Sequence, residues 1–508
     1  MLDSKAMQGE DLPRLLEWIN QLVPSDQTVF LVGGAVRDIL LNRPVHDVDF
    51  VLPGEVRKIA RKVANAIGGA FFMLDDERNT ARVIQTREDG SRLVIDFATL
   101  RAADLEGDLR ARDFTINAIA VGASTPYRMI DPLGGAADLR QKRLRACSES
   151  AFQADPVRVL RGVRLAVELK FSFEPQTLRG MRQAVPLLAR TSPERQRDEC
   201  CRMMDGQGVA SALRMLDQMG ALSIFLPELG SLKAVRPSPP HLLEGWEHTL
   251  ATAQTLERLL GVLVGEYQPD SADNLILGMA TMRLGRFRQS LAQHFEQPLN
   301  VNRTLRSLLF MAALYHDVGK AKTQQEDSGG AVHFFGHEDV SAKAIATRAR
   351  HLAFSQVEMQ RLDTTVRHHM RIHHLANAEK SQPTRRAIYR FFRDTGAAGV
   401  EICLLSLADL WATYGVTLPP ELWAKELDIC RGLLESWWER PQEAVNPPVL
   451  LTGDDLMRQF ALTPGPLIGE LLQRVREAQA CGEVATPDEA LRLVEAALNE
   501  SGSQSAER

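Results

Sequence analysis

The sequence predicts an α+β fold: a mixed sheet with helices at the N-terminal end, followed by a mostly α-helical remainder. Three observations carry this. Short apolar runs separated by turn residues crowd positions 29–97, as in a small sheet. Beyond residue 155, apolar positions recur mainly at helical spacing. The chain also has 508 residues, 44% of them hydrophobic, enough for several packed domains. Pro-rich stretches at 236–240 and 441–448 read as linkers, and we expect parts at 1–148, 149–235, 241–420 and 421–508.

Taken in order, 11–22 reads as an amphipathic helix capping the sheet. The apolar run 29–32 is a buried strand, Gly33-Gly34 a tight turn, and 35–41 a short helix. Such a unit aims unpaired backbone N–H groups at whatever lies above the turn, a setting that favours phosphate, and Arg37 adds a fork for phosphate oxygens. A strand at 45–52 follows, with Asp47 and Asp49 two residues apart and therefore on one face. Two adjacent carboxylates repel unless a cation sits between them, and hard oxygen ligands suit Mg²⁺. In a two-metal site the pair would activate an attacking hydroxyl and stabilise a leaving pyrophosphate. A helix at 54–67 and strands at 71–74, 81–86 and 92–97 complete the sheet. Asp96, in the last strand, is either a third carboxylate near the metal pair or the partner of an arginine.

Composition excludes several classes. Six cysteines show no zinc-ligand spacing and no apolar segment opens the chain, so a reduced, cytoplasmic protein is expected. No apolar run approaches the roughly 20 residues of a bilayer span, so no membrane is expected. A formal charge of −5 argues against a uniformly basic nucleic-acid coat, and any RNA-binding face must be local.

The pairing of GGAVRD with DVDF resembles the nucleotidyltransferase superfamily, specifically the bacterial CCA-adding tRNA nucleotidyltransferases and their poly(A) polymerase relatives. RARDFTINAIA at 110–120 is similar to the family's RRDFTINA, with Ala111 replacing one arginine. The resemblance implies that Arg112 contacts the nucleotide and that Asp113 orients neighbouring basic groups; the residues alone read as a charged loop before an apolar helix. MIDPLGGAADLRQKRL, 129–144, would close this catalytic head. DPVRVLRGVRLAVE, 155–168, resembles the base-selecting helix, implying that Asp155 and Arg158, assisted by Arg161, offer an acceptor and donors to the incoming base; Ala154 stands where the family commonly has glutamate. SPER, 192–195, resembles the supporting neck helix, with Arg195 and Arg197 facing either RNA phosphates or solvent. Between Arg101 and Asp108 the chain has only AADLEG, where full CCA-adding enzymes carry a longer loop, a departure that resembles enzymes adding only the two cytidines.

The C-terminal half carries His248, His316-Asp317, His333, His337, His368-His369, His373-His374 and Asp409. A His-Asp pair in an apolar helix is costly to bury without a partner, and metal coordination satisfies both groups. The order resembles the HD phosphohydrolase superfamily. It implies His248, His316, Asp317 and Asp409 as primary metal ligands, with His337 and one of His368 or His369, here His369, for a second metal. Lys320 would support a phosphate or end a helix. Arg385, Arg386, Arg390 and Arg393 form a basic stripe, facing either RNA or solvent. LTGDDLMRQFALTPGPLIGELL, 451–472, resembles the family's C-terminal element, and 501–508 is expected to be disordered.

The expected function is therefore a tRNA 3′-end nucleotidyltransferase. The tRNA acceptor end would attack the α-phosphate of CTP or ATP, with Mg²⁺ on Asp47 and Asp49 and with Gly33, Gly34, Arg37, Arg112, Asp155, Arg158 and Arg161 around the nucleotide. Three competitors remain: a CC-adding enzyme, a poly(A) polymerase, and a metal-dependent phosphohydrolase whose head binds nucleotide or RNA.

Overall fold

A computed structural model describes residues 12–23, 28–45, 47–77, 79–86, 92–123, 127–265, 273–300, 303–377 and 382–506. The chain divides into two compact units, one comprising 1–195 with 215–225 and the other 196–214 with 226–508.

The first unit is built on seven strands: β1 Phe30–Val32, β2 Asp47–Leu52, β3 Ala70–Asp75, β4 Thr80–Thr86, β5 Arg92–Thr99, β6 Ala120–Gly122 and β7 Met129–Ile130. Their order is β3-β4-β5-β2-β1-β6-β7, with β2 and β5 parallel and the other neighbours antiparallel. Helices α1 Leu12–Leu22, α2 Gly34–Leu40, α3 Val56–Ile67 and α4 Leu105–Arg110 accompany it. The sheet separates an apolar face from a charged one. Val48, Phe50, Ile95 and Phe97 are all buried, and the Phe50 and Phe97 rings stack at 5.5 Å. Amphipathic α3 packs against β4 and contributes buried Ile59 and Val63. Alternation sends Asp49 to the opposite face. Cross-strand register aligns Arg82, Asp96, Asp49 and Val32 in one row across β4, β5, β2 and β1.

The expected strands and helices are present with shifted ends, and Asp11 and His46 lie outside the described residues. The apolar helix expected after RARDFTINA is a correction. Thr115–Asn117 is a single 3₁₀ turn and Ala120–Gly122 a strand, and it pairs antiparallel with β1. A three-residue strand is too short for alternation to reveal.

The second unit is helical. The helices Gly245–Leu263, Leu305–Tyr315, His337–His351, Gln356–Arg367 and Gly399–Tyr414 carry the histidines or pack behind them. At the C-terminal end, Leu456, Leu471, Val475, Ala490 and Val494 form a separate apolar core under three helices. The last of these runs Pro487–Ala506, correcting the expected disorder at 501–506; residues 507 and 508 lie outside the described residues. The stretch Arg385–Thr417 is long and apolar enough to cross a membrane by length and composition, contrary to the sequence expectation, but 89% of its most apolar window is buried inside the protein. The basic stripe is also resolved: Arg386 and Arg390 pair with Glu477 and Glu483, and Arg393 with Asp394.

Candidate active site and metal centre

The charged face of the sheet floors a cleft of about 1000 Å³, at the upper end for small-molecule sites. Gly33, Gly34, Asp49, Asp96, Arg112, Asp155, Arg158, Arg161 and Arg195 are among its walls. Gly33 has φ +78°, and a Cβ there would stand 3.1 Å from the Asp49 carboxylate and 3.5 Å from the Arg112 guanidinium. Its absence of a side chain lets the β1–α2 turn lie directly over both groups. Asp49 is part-exposed; burial and the neighbouring Asp96 and Asp47 carboxylates push its pKa up to about 6, against the lowering pull of Arg112. A cation added there would relieve that repulsion, so the acidic set fits a hard divalent ion. Asp96 is the arginine's partner, held by Arg82 through two bonds of 2.8 and 2.7 Å. Asp47, at the start of β2, is exposed.

The Arg37 guanidinium is buried and bonded to both oxygens of Asp38 and, at 2.9 Å, to the Asn117 side chain, so it ties α2 to the Thr115–Asn117 turn. Arg112 is steadied from below: fully buried Asp108 accepts its Nε and one Nη at 3.1 and 3.0 Å. Asp108 also receives the Arg101 backbone N–H, and Asp104 caps α4 through the Gly107 N–H, so the short 101–108 connection is a compact, bonded turn. Burial would raise the Asp113 carboxyl, but Arg161, Asn117 and the Phe114 N–H outweigh it and bring the pKa down to about 2. Asp113 therefore holds Arg161 in place, 3.1 Å away.

Asp155 and Arg158 are brought together, though with unequal freedom. Arg158 donates to the backbone carbonyls of Ala111, Arg112 and Ala151, and its Nε lies 3.5 Å from Asp155. It is thus mostly a brace. One Asp155 oxygen receives Arg195 at 2.6 Å; the other, Oδ1, is buried without a hydrogen-bond partner in a side chain that lines the cleft. The sequence reading left Arg195 between RNA and solvent, and the structure puts it on Asp155.

The histidine cluster of the second unit is built differently. His316, His337 and His369 each turn Nδ1 to a backbone carbonyl three residues earlier, at 2.8, 2.9 and 2.7 Å. A carbonyl only accepts, so Nδ1 carries a hydrogen and Nε2 points inward, where a deprotonated Nε2 would offer its lone pair to an ion. Nε2 of His337 and Nε2 of His369 face each other at 3.3 Å, with Asp317 Oδ1 at 3.3 and 4.0 Å from them. His248 Nε2 and His316 Nε2 lie 2.8 and 3.5 Å from Asp409 Oδ1, and 3.5 and 3.3 Å from Asp317 Oδ2. Ligand atoms ~2.1 Å from one ion stand about 3.0 to 3.4 Å apart in octahedral or tetrahedral shells. The donors therefore form two ion-sized sets, His248–His316–Asp409 and Asp317–His337–His369, and Asp317 reaches both. His316 Nε2 is buried without a partner, as a metal-facing nitrogen would be. The imidazoles and cationic Lys320 hold the Asp317 carboxyl well below its ordinary range despite burial. The choice between neighbouring histidines falls on His369; His333 instead pairs with exposed Asp327 at 3.0 Å. Absent from the sequence reading was the support of Asp409: its Oδ2 meets His373, whose other nitrogen lies 2.8 Å from buried Glu426. Glu426 sits a helix away, with no local signal.

Comparisons with known proteins agree along the whole length. Profiles of the poly(A) polymerase head domain, the RNA and SrmB-binding site of polymerase A, the HD domain and tRNA nucleotidyltransferase domain 2 match residues 29–145, 170–232, 245–410 and 446–494. A CC-adding tRNA nucleotidyltransferase of Geobacter sulfurreducens is 32% identical over 95% of this chain and 96% of its own. An A-adding tRNA nucleotidyltransferase of Deinococcus radiodurans is 33% identical over 93% of this chain and 96% of its own. The fold is shared with a CCA-adding enzyme solved with CTP, at 20% identity, TM-score 0.55, and coverage of 96% and 95% of the two chains.

Proposed function

Because this chain belongs to the tRNA nucleotidyltransferase family, we propose that it extends the tRNA 3′ end with all or part of CCA, drawing on CTP and ATP and releasing pyrophosphate. The observation that carries the reading is the Asp155 carboxylate on the wall of the Asp49 cleft, one of whose oxygens has no hydrogen-bond partner within the protein. An unpaired carboxylate oxygen there accepts the exocyclic amino group that cytosine and adenine share. Uracil and guanine present a carbonyl at the same edge and are repelled. Arg195 and Arg158 keep the carboxylate turned the right way.

Asp47 and Asp49 would hold Mg²⁺, which when bound activates the attacking hydroxyl and stabilises the leaving pyrophosphate. The Gly33-Gly34 turn offers backbone N–H groups to the triphosphate, and Arg112, steadied by Asp108, adds charge beside them. The second unit's cluster is read as a divalent phosphohydrolase centre acting on phosphates at RNA ends. The four matched segments fall within parts at 1–148, 149–235, 241–420 and 421–508, which we take as the functional division, and the cytoplasm is its proposed location.

A CC-adding enzyme is the second reading, favoured by the 101–108 connection. With Asp104 capping α4 and Asp108 gripping both Arg101 and Arg112, this segment has little slack to reshape the cleft between bases. The relatives, one CC-adding and one A-adding at nearly equal identity, leave both readings standing. The deciding experiment supplies Mg²⁺ and CTP, ATP or both to tRNAs ending before CCA, after C and after CC, and sizes the products. Full CCA on the shortest acceptor supports the first reading, and arrest after two cytidines the second. Long adenosine tails on any RNA would mark a poly(A) polymerase, and no extension at all would overturn the transferase reading.

A further inference from the structure

The rim of the transferase cleft carries an apolar feature that its charged walls do not explain. β3 is an edge strand, paired with β4 alone among the described residues. Phe71 stands opposite buried Val83 and meets Arg61 of α3, so alternation turns Phe72 to the cleft face. Phe72 stands opposite Arg82 and thus extends the row of Arg82, Asp96 and Asp49 outward by one strand. The register slips between Met73 and Asp75, and Leu74, at that irregularity, lines the cleft. Phe72 and Leu74 are 49% and 50% exposed, and Phe72 is the one exposed ring among the described residues of the first unit. A ring left half in water at the edge of a nucleotide-sized cleft offers its face to a flat partner.

In-line transfer decides which partner. The attacking and leaving oxygens stand on opposite sides of the phosphorus. The Gly33-Gly34 turn, at the end of β1, is on the triphosphate side of Asp49, and the pyrophosphate leaves there. The attacking hydroxyl therefore arrives from the other side of β2, over β5 and β4, and the strand that carries it trails toward β3. Strand spacing puts Phe72 roughly 14 Å from Asp49, past the terminal nucleotide and level with the base before it.

We propose that Phe72, with Leu74 beside it, is a stacking platform for the unpaired base that precedes the acceptor's terminal nucleotide, on the side of the cleft opposite the triphosphate. The proposal rests on the transferase reading. Every base has a π-face, so the platform takes whatever base the acceptor presents, while Asp155 selects on the nucleotide side. Phe72 is thus a positioning residue: it holds the acceptor strand in line and touches no reacting atom.

The test gives the full chain, Phe72→Ala and Phe72→Trp a tRNA ending after the first C, with 2-aminopurine, whose fluorescence stacking quenches, replacing the base before it. At saturating protein without CTP, the parent and Phe72→Trp should quench the probe and Phe72→Ala should not. With Mg²⁺ and CTP, Phe72→Ala should raise the KM for this acceptor about tenfold and leave kcat and the KM for CTP within about twofold. Parent-like quenching and acceptor KM in Phe72→Ala would overturn the platform and leave the transferase reading intact, whereas a parent that extends no acceptor would overturn both. A rise confined to the KM for CTP would put the ring on the nucleotide side and overturn the platform too. So would a parent dimer that Phe72→Ala dissolves, since the patch would then join two copies of this chain.

Discussion

The two metal-capable sites of this chain use opposite strategies. In the first unit, the acids stand on an open sheet face, Asp47 exposed and Asp49 part-exposed, with no imidazole among the described residues of the cleft wall. In the second, six histidine and carboxylate donors are nine-tenths or more buried, and three imidazoles are locked by backbone carbonyls. Oxygen-only, open sites suit a labile Mg²⁺ that travels with substrate phosphates. Imidazole-rich, preorganised sites suit a tightly kept transition ion. The difference teaches that one chain can offer two donor sets suited to different kinds of ion through ligand type and burial alone.

The sharpest break in that comparison comes from removing one site and watching the other. Asp47→Ala with Asp49→Ala should lower nucleotide addition by on the order of 10³-fold or more, while the metal content of the second unit stays at the parent level. Conversely, a chelator should lower the thermal midpoint of the as-purified protein by several degrees, and added Mg²⁺ should restore addition without restoring that midpoint. A midpoint indifferent to chelation would remove the resident-metal half of the contrast.

A smaller effect separates the sites by pH. Burial and the facing carboxylates raise the Asp49 pKa to about 6. A raised carboxyl stabilises the fold while protonated, fully so below its ordinary value, and that contribution is lost as pH rises through about 6. Without Mg²⁺, Asp49→Asn should therefore melt higher than the parent at pH 8 and no higher at pH 4. The ion needs the ionised carboxylate, so Mg²⁺ affinity by calorimetry should fall about tenfold per pH unit below the Asp49 pKa. A flat profile from pH 5 to 8 would mean that Asp49 does not control the ion.

How much of this was legible from sequence depends on how local each signal was. The strand-turn-helix at 30–40, the spacing of Asp47 and Asp49 and the clustering of the histidines were readable because two-residue alternation or motif order encodes them directly. The internal bonds of Arg37 were not legible, because a guanidinium beside a glycine turn looks alike whatever it meets, and its acceptor, Asn117, is 80 residues away. Arg195 and Glu426 acquire their roles only through contacts the chain path creates. The very short strands β6 and β7 hold too few residues for alternation to show.

The smallest predicted effect concerns the basic stripe, where sequence left RNA and solvent both open. Its charges are spoken for: Arg390 meets Glu477 at 2.6 Å, Arg386 meets Glu483 at 2.8 Å, and Arg393 meets Asp394 at 2.7 Å. Neutralised, exposed pairs of this kind contribute little field to attract a phosphate backbone and typically 1 kcal/mol or less, roughly, to stability. Arg386→Ala with Arg390→Ala should leave the tRNA dissociation constant and its salt dependence within about twofold of the parent, since each lost phosphate contact would cut the salt slope by about one. A clear drop in that slope would show that the acids release these arginines to RNA, and would add a third charged region to the two contrasted sites.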